Sequence, residues 1–265
     1  MKPIIEKTNT FLPEIPRRNA LLYNLLATIG YWDIKRFQKN NNLLPDGIFG
    51  SKSWNMLYSK LLKVQPINFE GYYYKVEQNK KQIVWHHSAG SDNAENMFEW
   101  WKRDNVNHVA TCIGIEKSGR VVKGFDEGYW AHHIGMSNAY NLIRNQESIA
   151  VELTNWGNLR DFSTWAGNKI DEKNAIELNY KGSKFYEAYT DAQIKALELW
   201  TLLVALRFDI PLTYSEKDMW EVSSNAIQGK AGIYTHNSFI SWKTDVSPQP
   251  KLIKMAKNLV DFEKS

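Results

Sequence analysis

The sequence predicts an α/β protein with a central sheet, preceded by a small domain of three helices. Short apolar runs at Gln82–Trp85 and Ser148–Leu153 have the length of buried strands. Helical patterns lie between and after them, and the longest begins at Thr190. Because strands and helices are mixed along the chain, a sheet covered by helices is expected. A separate, purely helical pattern occupies Asn19–Leu62.

Three short helices are predicted in the N-terminal domain, which we place at residues 14–63. The first carries leucines at the spacing of one helix face, namely Leu21, Leu22, Leu25 and Leu26. The second opens at Ile34, and Ser51 is expected to cap the third after a glycine-containing loop. The core of so small a domain is limited, so packing between the helices must hold it together.

Residues 64–74 are predicted to be a linker, because Pro66 and Gly71 punctuate this stretch. The larger α/β domain then occupies residues 75–265. Residues 156–183 show no clear period and are predicted to be a surface loop.

The remaining elements of the larger domain follow from local patterns. They are a helix at Ala94–Arg103, a hairpin of Val109–Ile115 and Arg120–Phe125, a strand at Ile233–His236 and a helix at Leu252–Val260. At the start of the long helix, Thr190 and Gln193 have the spacing of a capping box.

Composition is that of an ordinary soluble globular protein, with 43% hydrophobic and 23% charged residues. The formal charge of +4 suits an anionic polymer, but the basic residues are too few and too scattered to predict nucleic-acid binding. No run has the length of a membrane span, and the N-terminus lacks a signal-peptide core, so synthesis in the cytoplasm is expected. The single cysteine, Cys112, excludes an internal disulfide and is interpreted as a small buried hydrophobe. The oligomeric state stays open, with a monomer favoured.

Histidines at the ends of predicted strands are the candidate metal ligands. His86 and His236 each end such a strand, and a loop after His236 could bring Asp245 to them. Catalytic zinc sites take three protein ligands and leave the fourth position to water. Because side chains alternate along a strand, only one of His86 and His87 is expected to bind the metal. Taken alone, this spacing is weak evidence for a metal site, since a histidine at the end of a strand is more often a hydrogen-bonded structural residue.

Two short motifs in the N-terminal domain carry a resemblance. Phe37-Gln38-Lys39 and the run from Asp46 to Trp54 resemble the FQ and DGxFGxxTW signature of the small helical peptidoglycan-binding domain. Ser53 stands where threonine is usual. The resemblance implies attachment to the bacterial cell wall, and the alternative is a plain three-helix module with a glycine loop.

Five motifs between about residues 80 and 250 carry a second resemblance. They are Ile83–Ala89 (IVWHHSA), the turn Gly119-Arg120-Val121, Tyr129–Gly135 (YWAHHIG), Ser148–Leu153 (SIAVEL), and Thr235-His236 with the later Lys243–Pro248 (KTDVSP). In sequence and in order they are similar to the type 2 N-acetylmuramoyl-L-alanine amidases, a family that includes phage lysozymes and AmpD-like recycling amidases. Peptidoglycan recognition proteins share the same fold. The resemblance implies a central mixed β-sheet flanked by helices.

The resemblance also implies a role for each matching residue. His86, His236 and Asp245 match the three ligands of a catalytic Zn²⁺ ion. Glu152 matches the general base, which takes a proton from the attacking water and then passes it to the departing amine. Lys243 matches a lysine whose charge stabilises the oxyanion.

Two further positions are expected to contact substrate. Thr111 stands where phage lysozymes carry a tyrosine, and this departure places more of the acid–base chemistry on Glu152. His133 matches the histidine of the AWHAG-like segment, although His132 could equally serve, and a structural role for either is the alternative.

The implied function is hydrolysis of the amide bond between N-acetylmuramic acid and L-alanine in bacterial peptidoglycan. A wall-binding domain without a signal peptide fits a phage endolysin that reaches the wall through holin lesions, and a bacterial recycling or effector amidase is the close variant. The alternatives are a non-catalytic peptidoglycan receptor and a zinc endopeptidase that acts on the stem peptide. Neither nucleic acid nor membrane is expected as a partner.

Overall fold

The computed structural model describes residues 16–103 and 107–264, and it confirms the mixed α/β architecture. The strands in chain order are β1 (Val64–Pro66), β2 (Gln82–His87), β3 (Ile113–Ile115), β4 (Val121–Lys123), β5 (Ser148–Leu153), β6 (Asn158–Leu159), β7 (Ala175–Tyr180), β8 (Ser183–Glu187) and β9 (Gly232–Thr235). Six of them form a mixed sheet in the order β1-β4-β3-β5-β2-β9, and β6, β8 and β7 form a small antiparallel sheet.

Helices cover the central sheet and make up the N-terminal part of the chain. They are α1 (Pro16–Thr28), α2 (Ile34–Asn40), α3 (Ser51–Leu61), α4 (Ala94–Arg103), α5 (Asn141–Glu147), α6 (Asp191–Phe208), α7 (Glu216–Trp220), α8 (Ser224–Gln228) and α9 (Pro250–Lys264). Single 3-10 turns lie at Glu172–Asn174 and His236–Ser238. None of the described helices combines the length and the hydrophobicity that a membrane-spanning segment requires.

The centre of the sheet is parallel and deeply buried. Strand β2 lies between β5 and β9 and runs parallel to both, and every side chain of β2 and β5 is buried. Strands buried on both faces need apolar residues at nearly every position, which explains the continuous runs in the sequence. Because the three strands are parallel, their carboxyl ends meet at one edge of the sheet.

The predicted hairpin and long helix are present in the structure. Strands β3 and β4 pair antiparallel, although each is shorter than expected. The Thr190 hydroxyl accepts a hydrogen bond from the Gln193 backbone N–H and so caps α6. The other half of the capping box is not formed, and the Gln193 amide nitrogen donates to the carbonyls of Ile115 and Thr154.

The predicted cap of α3 was one residue late. Gly50, in extended conformation, occupies the N-cap position, and Ser51 is the first helical residue. The motif before it is held together by Gln38, whose amide nitrogen donates to Asp46 at 2.9 Å and whose amide oxygen accepts from the Gly47 N–H at 2.9 Å. These motif residues therefore build the loop between α2 and α3.

The stretch expected to be a linker, residues 64–74, is partly built into the sheet. Val64–Pro66 forms the edge strand β1 and pairs in parallel with β4. A chain segment that supplies sheet hydrogen bonds is anchored along its length, so it does not act as a free connection. The predicted domain boundary at residue 14 lies outside the described residues.

Residues 156–183 were wrongly predicted to be a loop without regular structure. They contain β6, β7 and the first residue of β8, which form the small antiparallel sheet together with a 3-10 turn. Most side chains of β7 are only half-buried, so no continuous apolar run marks this strand.

Candidate metal centre and catalytic cleft

Two neighbouring parallel strands place the candidate histidines side by side. Trp85 of β2 pairs with Thr235 of β9, so the residues that follow, His86 and His236, emerge together at the same edge of the sheet. Asp245 reaches them from the loop before α9. The fold thus brings together three residues that are far apart in sequence.

The facing atoms of these three side chains form a tight triangle. The Nδ1 atoms of His86 and His236 are 3.1 Å apart, and Asp245 Oδ2 lies 3.2 Å from the first and 2.8 Å from the second. Each residue is at most 8% exposed. Within the described residues this is the one group of histidine, cysteine and acidic side chains that is arranged to hold a metal ion.

The hydrogen bond at the outer nitrogen of His236, Nε2, determines whether its inner nitrogen, Nδ1, carries a hydrogen. His236 Nε2 lies 2.7 Å from the carbonyl oxygen of Ile134. A carbonyl can only accept, so Nε2 carries the hydrogen. In the neutral imidazole, Nδ1 then presents its lone pair to Asp245.

A longer chain of hydrogen bonds fixes the tautomer of His86 in the same way. The Ser148 hydroxyl donates to the Arg144 carbonyl at 2.5 Å and so accepts from His133 Nε2 at 2.7 Å. His133 Nδ1 is then an acceptor, and His86 Nε2 donates to it at 3.0 Å. The remaining nitrogen, His86 Nδ1, is left with a lone pair that faces the triangle.

The charges of the triangle favour a cation at its centre. Burial lowers the pKa of His86 to about 4, so this imidazole is neutral at neutral pH. Burial opposes the ionisation of Asp245, but its contacts with His236 and His86 together outweigh burial and hold the pKa of the carboxyl well below its usual range. With both imidazoles neutral and Asp245 ionised, two lone pairs and a carboxylate would face each other in a buried space, and a cation between them would remove this repulsion.

Glu152 lies on the strand next to the triangle. It pairs in register with His86 across β5 and β2, and its carboxyl lines the cleft. Burial, reinforced by the negative charge of Asp245, raises the pKa of Glu152 well above its usual range. A carboxyl group with a raised pKa can take up a proton near neutral pH and release it again.

Lys243 and the two expected substrate contacts also line the cleft. Lys243 stands two residues before Asp245 in the chain, and its ammonium lies 4.8 Å from the centroid of the Trp242 ring. The Thr111 hydroxyl donates to the carbonyl of Ile113 at 3.0 Å. Both ring nitrogens of His133 are engaged by His86 and Ser148, so its contact with substrate stays a prediction.

His87 points away from the triangle, in agreement with strand alternation. Its Nδ1 lies 2.8 Å from the Tyr189 hydroxyl, and its other side faces Gly157. A Cβ at position 157 would be 2.3 Å from His87 Nε2, so a glycine is required where the chain passes this ring. Cys112 is buried, as expected, and its thiol donates to the carbonyl of Ala150.

Sequence reasoning missed the groups that support the ligands. Neither Ser148 nor the Ile134 carbonyl was singled out, although each fixes the tautomer of a candidate ligand. A backbone carbonyl has no residue type of its own, so no motif could identify it. Ser148 does open the SIAVEL strand, but only the fold shows that its hydroxyl points toward His133.

The geometry of the site agrees with the comparison with known families. The family described as N-acetylmuramoyl-L-alanine amidase (Amidase_2) matches residues 77–250, which is well over half of the chain. This chain therefore belongs to the Amidase_2 family, and the matched range confirms the resemblance seen in the sequence. A search among curated proteins found no match.

Solved structures with a similar fold include an amidase and a hydrolase from two bacteria. The N-acetylmuramoyl-L-alanine amidase LysC from Clostridium intestinale URNW is 12% identical with a TM-score of 0.46, over 74% of this chain and 97% of that one. The Staphylococcus aureus hydrolase AmiA, solved in complex with its ligand, is 12% identical with a TM-score of 0.45, over 80% of this chain and 89% of that one. At these identities and TM-scores the similarities say nothing about what this chain binds or cleaves.

Proposed function

We propose that this chain is a zinc-dependent enzyme that hydrolyses the amide bond between N-acetylmuramic acid and L-alanine in bacterial peptidoglycan. The observation that carries the proposal is the buried triangle of His86, His236 and Asp245, whose facing atoms lie 2.8–3.2 Å apart. Membership of the Amidase_2 family supports the choice of substrate and bond.

Zinc suits this donor set better than other common ions. Two imidazole nitrogens and one carboxylate oxygen, with room for a fourth ligand, are typical of catalytic zinc sites. Neighbouring ligands of a tetrahedral zinc ion are about 3.3 Å apart, given bond lengths of roughly 2.0–2.1 Å. The observed separations of 2.8–3.2 Å are close to this value. Calcium and magnesium prefer all-oxygen sites, so the two imidazoles disfavour them.

The residues of the chain divide the chemistry between them. Zinc, when bound, supplies Lewis-acid chemistry by polarising the scissile carbonyl and making water acidic near neutral pH. Glu152 removes one proton from the attacking water as its oxygen bonds to the carbonyl carbon. The same carboxyl returns the proton to the nitrogen as the carbon–nitrogen bond breaks, so a carboxylic acid and a free amine leave, and the acid then loses its remaining proton to solvent. Lys243 stabilises the negative charge that develops on the carbonyl oxygen.

We also propose that the protein acts in cell-wall lysis, as a phage endolysin. The N-terminal unit supports this role, since its motif residues form the ordered loop around Gln38, Asp46 and Gly47. Wall attachment through α1–α3 would keep the cleft near its polymeric substrate.

Digestion of purified peptidoglycan, with mass analysis of the products, tests the proposal. The expected products are stem peptides that begin with L-alanine, together with uncut glycan strands. Reducing ends without new L-alanine amines would contradict amidase activity. Binding without any released product would identify a receptor instead.

Two substitutions separate the metal from the acid–base group. His86→Ala should lose bound zinc and activity together, because one of three ligands is gone. Glu152→Gln should keep zinc, as measured by elemental analysis, and lose at least about 100-fold in kcat. The exposed Glu172→Gln is the matched control and should keep both. A near-normal rate in Glu152→Gln would show that another group is the base.

A further inference from the structure

Tryptophans are concentrated around the catalytic cleft. The chain has 11 tryptophans, and the cleft, with a volume of about 720 Å³, is lined by five of them: Trp100, Trp101, Trp156, Trp165 and Trp242. The amidase motifs contain none of these five positions. The proposed hydrolysis does not use them either, so they need a separate explanation.

Three of these indoles lie largely in solvent. Trp100, Trp165 and Trp242 are 62%, 76% and 73% exposed. Among the other described tryptophans only Trp32 is comparably exposed, and it does not line the cleft. A single exposed aromatic residue is unremarkable, but a group of them around one concave site marks a binding surface.

The three exposed rings come from three separate parts of the fold. Trp100 belongs to α4, Trp165 to the segment between β6 and β7, and Trp242 to the loop that leads to Asp245. No single helix face or apolar strand therefore explains their grouping. The fold has brought them to the rim of the same cleft.

Trp165 is held in place and separates two cavities. Its indole N–H donates to the Ala89 carbonyl at 2.6 Å, and its ring packs edge-on against Trp156 with centroids 5.9 Å apart. On its other side lies a cavity of about 520 Å³ lined by polar side chains, among them Asn158, Arg160 and Lys169. The indole ring offers a ligand one flat apolar face, and the polar cavity beside it offers several hydrogen-bonding groups.

This combination has the chemistry of a saccharide site. A pyranose ring has a face of C–H groups that packs flat on an aromatic ring, and a rim of hydroxyl and amide groups that form hydrogen bonds. The indoles supply the flat apolar faces, and the polar cavity supplies donors and acceptors. The stem peptide of peptidoglycan is short and polar, so it offers little for three separate indoles.

We propose that Trp100, Trp165 and Trp242 form a platform that holds sugar rings of the glycan strand next to the muramoyl residue whose amide is cut. The polar cavity beside Trp165 receives sugar substituents. The inference rests on the proposed function, since it takes the glycan strand of peptidoglycan as the ligand. It adds that the enzyme distinguishes a glycan polymer from an isolated muramoyl peptide.

Calorimetric binding of a peptide-free glycan tetrasaccharide, made of alternating N-acetylglucosamine and N-acetylmuramic acid, tests the platform directly. Trp100→Ala and Trp165→Ala should each weaken binding about fivefold, the magnitude expected for one stacked aromatic ring. Trp165→Phe keeps a flat ring and should retain most of the affinity. Tyr140→Ala, which removes an exposed aromatic ring outside both the cleft and the N-terminal helices, should bind like the wild type.

Steady-state kinetics on two soluble substrates gives the second readout. In Trp165→Ala, KM for a peptide-bearing tetrasaccharide should rise about fivefold, whereas KM for a muramoyl peptide with one sugar should change by less than about twofold. An equal rise for both substrates would place the tryptophans at the stem peptide and overturn the proposal. Wild-type affinity of Trp165→Ala for the peptide-free tetrasaccharide would overturn it as well. Failure of the proposed function appears differently, as a wild-type protein that releases no L-alanine amine from either substrate.

Discussion

Each ring nitrogen of His86 has a separate task. The inner nitrogen faces the metal triangle, and the outer nitrogen donates to His133, which in turn donates to Ser148. An imidazole held in the wrong tautomer would present a hydrogen to the metal and could not bind it. His133 and Ser148 are therefore positioning residues, because they keep the lone pair of His86 directed inward.

The first prediction concerns this chain of hydrogen bonds. Ser148→Ala removes the acceptor of His133 Nε2, so His133 can adopt its other tautomer and release His86. Zinc affinity, measured by competition with a chelator, should fall about tenfold, the lower end of the effects seen when groups behind a metal ligand are removed. At saturating zinc, kcat should recover.

A serine outside the site provides the control for this prediction. Ser59→Ala removes a hydroxyl that donates only to a carbonyl of its own helix, and it should leave zinc affinity unchanged. Melting temperatures of the zinc-free proteins separate a lost tautomer from a damaged fold. Unchanged zinc affinity in Ser148→Ala would show that His86 keeps its tautomer without this chain.

At the residue scale, the sequence identified the three residues that meet in the triangle but not the groups behind them. His86, His236 and Asp245 could be found because motif order and strand alternation restrict the choice of residue. Ser148 could not, since its role depends on the direction of one hydroxyl. The exposure of Trp100 could not be predicted, because helical spacing alone does not reveal which side of a helix meets solvent.

At the scale of elements, helix α4 lies very close to the sheet. A Cβ on Gly114 in β3 would be 2.7 Å from Met97 and 2.9 Å from Ala94, and a Cβ on Gly124 would be 2.5 Å from Phe98. Glycine at these two positions allows the helix to sit directly on the strands. Helix α4 also carries Trp100, which lines the cleft, so this close packing fixes the distance of Trp100 from the sheet.

The second prediction follows from this contact. Gly114→Ala should destabilise the fold by about 1–3 kcal/mol, because Ala94 cannot move without shifting the helix. Urea denaturation measures the effect. Gly90→Ala is a matched control, since its new methyl group would meet nothing closer than 3.6 Å and should leave the free energy of unfolding nearly unchanged. Equal urea midpoints for the two variants would show that α4 moves to accommodate the added methyl group without loss of stability.

Elements were predictable where they are long or fully buried. Strands β2 and β5 and helix α6 appear in the sequence as continuous apolar or periodic runs. Strand β1 spans only Val64–Pro66, and its pairing with β4 depends on a partner more than 50 residues away. Strand β7 does alternate through Ile176, Leu178 and Tyr180, but its half-buried face gives a weak signal.

At the scale of the whole molecule, the N-terminal helices share one apolar core with the α/β part. The Arg18 guanidinium donates to the carbonyls of Leu206 and Arg207 at the end of α6. The Tyr58 hydroxyl donates to the fully buried Glu127, which also pairs with Arg207. These contacts are polar, buried and directional, so the helices are a structural part of the molecule.

The third prediction concerns removal of these helices. A protein that begins at residue 64 should melt more than about 10 °C lower than the full chain, or fail to stay in solution, because an apolar surface is exposed and Glu127 loses Tyr58. Differential scanning calorimetry measures this shift. Trp32→Ala should melt like the full chain. An unchanged melting temperature of the shortened protein would show that the α/β part is independent and that the helices serve only attachment.

The order in which the ligands occur along the chain has a consequence for synthesis. His86 is synthesised 150 residues before His236 (236 − 86), and Asp245 follows nine residues later (245 − 236). Translation adds about 5–20 residues per second, so His86 leaves the ribosome seconds to tens of seconds before the other two residues of the triangle. A nascent chain that ends between these positions has one imidazole where the folded protein has three candidate ligands. The triangle can therefore form only after residue 245 has been synthesised.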